Sequence, residues 1–123
     1  MPEAIVLAIH ADRADAILDG TARFEHRTVP PKRLPARAFL AVVEEHAIVG
    51  ECDLDPPSRR SAQGWALPVS RPRRYRTPRP LSDFGLAKIP RSFRYVEGQL
   101  SSRVARRTTR GRSGRRPSRR SRS

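Results

Sequence analysis

Arg23, Glu25 and Arg27 alternate along one short stretch, with Phe24 and His26 between them. In an extended chain, side chains alternate with period two. Arg23, Glu25 and Arg27 then share one face, and Ala22, Phe24 and His26 the other, with Phe24 directed into the core. Charges in this pattern suit recognition. A guanidinium clamps a phosphate or stacks on a base, and a carboxylate accepts a base amino group or holds an arginine in place. The same pattern also suits an ion-pair ladder that binds nothing. Catalysis needs a nucleophile or a tuned acid–base pair as well, and no distinct dyad stands out. His10, His26 and His46 are scattered, and Cys52 is the only cysteine. They match no metal-ligand spacing, so neither a metal nor a cofactor is expected. Cys52 reads as a small buried residue, and His26 as a half-buried structural histidine beside Phe24.

Two aromatic residues are candidate platforms for stacked bases. Trp65 is equally a core residue. Tyr75, between Arg74 and Arg76 in the arginine-rich stretch Arg71 to Arg79, is the better surface candidate. Its alternative role is in an edge strand whose charges prevent aggregation. Lys32, in the basic connection Pro30 to Pro35, and Arg94, near the end of the apolar sequence, join Gly20, Arg23, Glu25, Arg27 and Tyr75 as candidate ligand-binding residues.

The strongest charge signal lies at the end of the chain. The 123 residues carry a net charge of +14. From Gly98 to Ser123 there are ten arginines and no acid: Arg103, Arg106, Arg107, Arg110, Arg112, Arg115, Arg116, Arg119, Arg120 and Arg122. The first 97 residues hold 16 basic against 12 acidic side chains, a net of only +4. The tail therefore calls for a polyanionic partner, nucleic acid before an acidic membrane surface. If about five of its arginines engage a duplex, log affinity falls with log salt at a slope of roughly −4.5. Such binding reads no sequence. Arginine, alanine, proline and glycine are also common in chains from high-GC genomes, so compositional drift is the alternative account of the tail.

The elements that must position these groups are short. Ala4 to Ile9 reads as a buried strand. Ala11, Ala14, Ile17 and Leu18 recur at helical spacing, and Gly20 follows where a left-handed cap is wanted. Ala22 to Val29 reads as the charged second strand. Ala38 to Glu44 and Ile48 to Leu54 suit an antiparallel hairpin. Trp65, Leu67 and Val69 alternate as in a strand, and Pro68 implies an edge or a bulge there. Arg71 to Arg79 reads as extended and exposed, Leu81 to Leu86 as holding a helical turn, and Ser92 to Val96 as a closing strand. The tail has too little apolar surface to offset the entropy of ordering and is expected to be disordered. This gives one domain over residues 1–97 and a basic tail over 98–123. A single cysteine rules out an internal disulfide. The apolar runs are far too short to span a membrane, and Met1-Pro2-Glu3 lacks the positive region of a signal peptide. A cytoplasmic monomer is the expectation.

The order strand, helix, glycine, charged strand, hairpin and closing Ser-Phe-Arg-Tyr resembles the ASCH family, a branch of the PUA-like fold. The resemblance covers Ile5 to about Tyr95. Its most specific part runs from Ile9 to Arg27, similar to the family's helix and its Gly-x-Lys-x-x-Glu-x-Arg signature. Gly20, Glu25 and Arg27 match, while the lysine position is Ala22. Ile48-Val49-Gly50-Glu51 and Pro90-Arg91-Ser92-Phe93-Arg94-Tyr95 are similar to later family segments. The resemblance implies an α+β, mainly β fold: a small PUA-like β-barrel with one or two short helices and a cleft, lined by the signature strand, that binds RNA or other nucleic acid. Only about ten residues precede Trp65 where many members carry a longer insert, which implies a more open cleft. One branch of the family hydrolyses acetylated cytidine with the signature lysine and a threonine. Those positions are Ala22 and Glu25 here, and arginine stays protonated, so Arg23 does not replace the lysine as a base. A binding module is the leading expectation. A hydrolase acting on modified nucleosides or RNA, and a structural or protein-interaction module, are the alternatives.

Overall fold

The computed structural model describes residues 3–96. The expected disorder of residues 98–123 and the ten candidate arginines there lie outside the described residues.

The elements in chain order are β1 (Glu3–Ile9), α1 (Ala11–Leu18), β2 (Phe24–Arg27), β3 (Ala36–Val42), β4 (Ala47–Leu54), β5 (Arg59–Ser61), β6 (Gly64–Pro80), a single 3-10 turn (Leu81–Phe84) and β7 (Phe93–Val96). The strands form one curled sheet in the order β2-β6-β4-β3-β1-β7, with β5 paired to β6. β1 and β3 run parallel, and β3 and β4 form the expected antiparallel hairpin. The architecture is mainly β, a half-barrel whose two edges are β2 and β7.

Both faces of the central strands are covered, which is why β1 from Ala4 and β3 from Ala38 are continuous apolar runs rather than alternating ones. Ile5, Leu7, Leu40, Leu54 and Leu67 pack beneath Ala14 and Ile17 of α1. Val6, Phe39, Ile48 and Tyr75 pack on the other face against Leu81 and Phe84, with the Phe39 and Phe84 ring centroids 4.9 Å apart.

Local chemistry sets where α1 starts and stops. His10 precedes it without a side-chain cap of its own. Glu44, in the β3–β4 turn, supplies the cap: its Oε1 accepts the Ala11 N–H at 2.9 Å, and its Oε2 lies 3.2 Å from His10 Nδ1. This satisfies one of the orphan donors of the first helical turn. At the other end Gly20 takes φ +84°, the left-handed conformation that favours glycine. The Ala16 carbonyl then accepts the N–H groups of Thr21 and Ala22 at 3.0 and 2.9 Å. Gly50 lets the helix lie directly on β4, because a Cβ there would come within 2.6 Å of the Arg73 carbonyl and 2.8 Å of Leu18 Cδ2.

Two sequence expectations are corrected. β2 covers only Phe24–Arg27, and its faces are reversed. Glu25 is 6% exposed and turned inward, while Phe24 is half-buried beneath the Arg59 guanidinium, which lies 4.8 Å from the ring centroid. The inward charges are tolerated because they are paired with each other and with backbone. The second correction concerns Tyr75. The stretch Arg71 to Arg79 is extended, but it pairs with β4 and is no edge strand. Tyr75 is 5% exposed in the second core, and its hydroxyl donates to Glu51 Oε1 at 2.9 Å. Alternation turns Arg74 and Arg76 outward and Tyr75 inward, so Tyr75 offers no stacking surface. Pro68 marks the point where β6 passes from one partner to the next. It faces Phe24 of β2, and pairing with β4 begins at Val69.

Among the described residues, no helix is long and apolar enough to cross a membrane.

Candidate nucleic-acid cleft

The sheet is open between β2 and the β1–β7 pair, and a cleft of about 550 Å³ runs along this seam. One wall is β2 with Glu25, His26 and Arg27. The others are Ala8 and Ile9 of β1, His10 and Arg13 at the start of α1, and Arg91 and Ser92 before β7.

Arg27 closes the seam from below. Its Nη2 donates to the Ala8 carbonyl at 2.7 Å, its Nη1 to Ser92 Oγ at 3.2 Å, and its Nε to Glu25 Oε2 at 3.1 Å. Nη2 also lies 3.0 Å from that carboxylate oxygen. With all three nitrogens engaged, Arg27 is a clasp and an orienting group rather than a free phosphate clamp. Tyr95 ties the far end of the seam. Its hydroxyl accepts the N–H groups of Lys32 and Arg33 at 2.9 and 3.0 Å, and the Arg33 guanidinium stacks 4.1 Å from its ring centroid.

Glu25 is left half-satisfied. Oε2 is bonded to Arg27, whereas Oε1 is buried without a hydrogen bond. Arg13 Nη2 stands 3.6 Å from it and donates instead to the Phe24 carbonyl at 3.0 Å. A buried acceptor without a partner is costly and uncommon in folded chains. Here it lies in the wall of an open cleft, beneath a half-exposed arginine.

The residues singled out from sequence divide between places. Glu25 and Arg27 line the cleft. Gly20 and Arg23 line a second, smaller cavity at the C-terminal end of α1. Lys32 and Arg94 are exposed and line neither cavity, and Tyr75 is in the core. His10, Arg13, Arg91 and Ser92 are cleft residues that sequence reasoning passed over. Their signal is modest: His10 and Arg13 are three apart at a helix start and so share a side, and Arg91-Ser92 opens the closing segment.

The arginines of β6 are not a free polycation. Arg71 is paired with Asp53, Arg74 with Asp15 and Asp19 at 3.0 and 2.9 Å, and Arg79 with Asp83 at 2.7 Å. Trp65 is half-buried against the first core, under the Arg60 guanidinium. Among the described residues, no group of three histidine, cysteine or acidic side chains is arranged to hold a metal ion.

Cys52 is fully buried beneath α1 and lines neither cavity. Burial pushes its thiol up to about 12. The sign follows from linkage: as pH rises from the ordinary thiol value of 9.0 toward 12, the unfolded chain ionises while the folded one does not, and stability is lost. The native protein is therefore expected to resist alkylation by iodoacetamide at pH 8 and to react within minutes in urea. Fast labelling without urea would show the thiol to be exposed. Above pH 9, Cys52→Ala should flatten the decline in stability.

Compared by sequence, the chain matches no protein-family model and no curated protein. Compared by structure, it has the ASCH-like fold. The ASCH protein of Zymomonas mobilis superposes with a TM-score of 0.67 at 15% identity, over 84% of this chain and 94% of that one. A serine-to-alanine variant of the Zymomonas protein gives 0.69 at 14% identity, over 86% and 98% of the two chains. A tyrosine-to-phenylalanine variant gives 0.65 at 15%, over 84% and 96%. At these identities the likeness is one of fold.

Proposed function

We propose that this protein binds nucleic acid, single-stranded RNA foremost, in the cleft between α1 and β2, and that the ten tail arginines add salt-dependent affinity without sequence readout. The observation that carries this is Glu25: a carboxylate fixed by Arg27, with one buried oxygen unsatisfied, in a cleft rimmed by Arg13, Arg91, His10 and His26. A base amino group that reaches Oε1 satisfies it, and the displaced Arg13 turns toward the adjoining phosphate. Acid at the wall and cations at the rim are the complement of a nucleotide, with its donor edge and its anionic backbone.

The amidohydrolase alternative draws less support. Ala22 lies outside the cleft and carries no base, and Glu25 is held by Arg27. Fluorescence anisotropy with labelled single-stranded RNA tests the binding reading. Losing a hydrogen bond to a charged acceptor is worth about 1.5–3 kcal/mol, so Glu25→Gln should weaken binding about tenfold or more. Unchanged affinity would remove the cleft from the reading. Turnover of RNA or acetylated cytidine by the intact protein, abolished in Glu25→Gln, would replace binding with hydrolysis.

A further inference from the structure

The segment that carries Glu25 has a cavity on each side of it. The second, of about 260 Å³, lies between the C-terminal half of α1 and the bend in β6. Its walls are apolar: Ile17, Ala22, Val69 and Pro72. Its mouth is cationic. Arg23 is exposed and its side chain makes no bond among the described residues. Arg71 is bonded through Nε to Asp53, its side chain is largely exposed, and its backbone takes φ +48°. A non-glycine residue with that φ is uncommon, and such conformations cluster at functional sites. Here the Arg71 carbonyl is pinned by Arg37 Nη1 at 3.1 Å, which fixes the conformation at the cavity mouth.

An apolar slot below the usual size range of ligand pockets takes one ring system rather than a whole nucleotide. Arg23, with Arg71 beside it and already paired through Nε with Asp53, calls for an anionic group next to that ring. Ala22 in the slot and Glu25 in the cleft are three residues apart, at most about 10 Å of chain. Consecutive nucleotides of an extended strand span that distance.

We infer that the cavity walled by Ile17, Ala22, Val69 and Pro72 is a second base subsite, and that one single strand of RNA lies along residues 22–28 with a base in each cavity and its phosphates against Arg23 and Arg71. This rests on the reading of the Glu25 cleft given above. With aliphatic walls and no aromatic side chain, the slot reads shape and apolar surface rather than a hydrogen-bond pattern.

The test is length dependence. Labelled RNAs of one, two and four nucleotides are titrated against the full chain and three variants, Ala22→Leu, Arg23→Ala and Glu25→Gln. The wild type is expected to bind the dinucleotide about tenfold more tightly than the mononucleotide, since burying about 60 Å² of base surface against apolar walls is worth that much. Ala22→Leu fills the slot and should abolish this gain. Arg23 is exposed and without a side-chain partner, so Arg23→Ala folds normally; it should lower the slope of log affinity on log salt by about 0.7, the value for one phosphate of a single strand. An undiminished dinucleotide gain in Ala22→Leu together with an unchanged salt slope in Arg23→Ala overturns the second subsite. If Glu25→Gln still weakens binding at every length in that case, the cleft reading stands alone. If Glu25→Gln matches the wild type throughout, the cleft reading falls instead.

Discussion

Arg27→Met is expected to lower the unfolding free energy by about 3–5 kcal/mol, the cost of breaking a buried ion pair by removing one partner. The magnitude follows from what Arg27 holds. Its guanidinium joins β2 to the Ala8 carbonyl of β1 and to Ser92 ahead of β7, across the one place where the sheet does not close. It is also the only hydrogen-bonding partner of the Glu25 carboxylate among the described residues, and that carboxylate is almost wholly buried. Methionine keeps the length of the side chain and removes every donor, leaving the Ala8 carbonyl without the donor it had in Arg27 and the Glu25 carboxylate with only the half-exposed Arg13, 3.6 Å away and bonded to neither oxygen. Glu25→Gln should cost far less, because an amide oxygen still accepts from Arg27. Combined with Arg27→Met it should recover part of the loss, giving a coupling energy above about 1 kcal/mol in a double-mutant cycle. Urea unfolding followed by Trp65 fluorescence measures all four corners. A cost under 1 kcal/mol for Arg27→Met would mean that the seam is held by backbone alone.

Much of this arrangement was legible in the sequence, and the failures have identifiable causes. Period-two and period-3.6 patterns located β1, α1, the β3–β4 hairpin and the closing strand, because those segments bury apolar side chains in a regular way. Gly20 marked the helix end because only the left-handed conformation fits there. The faces of β2 were misread because polarity was equated with exposure. Three charged side chains on one face look solvated, yet Glu25 and Arg27 neutralise each other and bridge an open seam. Tyr75 was misread for the same reason in reverse: its neighbours Arg74 and Arg76 are exposed, and alternation alone puts the residue between them inside. The acids that pair with Arg71 and Arg74 are distant in sequence, at Asp53, Asp15 and Asp19. No local pattern announces such partners, so an apparent polycation in the sequence is a set of ion pairs in the fold. Arg13 and Arg91 entered the cleft through topology, which brings the start of α1 and the start of β7 to the same edge.

The second large effect lies on the opposite face of the sheet, where Arg37→Leu is expected to cost about 3–5 kcal/mol. Glu51 is 4% exposed and is satisfied by Arg37 Nε at 2.7 Å and the Tyr75 hydroxyl at 2.9 Å. Arg37 Nη1 also donates to Asp53 Oδ1 at 2.8 Å. Leucine fills similar space but leaves Glu51 with one neutral donor. The triple change Arg37→Leu, Glu51→Leu, Tyr75→Phe removes the charges together and should restore most of the loss, since replacing a whole buried ionic group is often neutral. The pH dependence carries a second signature. Burial pushes Asp53 up, but hydrogen bonds from Arg71 and Arg37 outweigh it and hold the carboxyl below its ordinary 3.8. Its contribution is present above that value and lost as pH falls through the lowered folded one. Arg37→Leu removes one of the two bonds, so the acid decline should become shallower. Burial, then the Glu51 charge and bond, raise the Tyr75 hydroxyl well above 10.0. That contribution is present below pH 10 and lost above it, where Tyr75→Phe should flatten the curve. Urea midpoints from pH 3 to 11 report both limbs. An Arg37→Leu protein within 1 kcal/mol of wild type, or one with an unchanged acid limb, would show that the network is ornamental to the fold. Because Arg37 also pins the Arg71 carbonyl, the same variant should loosen the bend of β6 and weaken the dinucleotide gain while the Glu25 cleft keeps its own affinity.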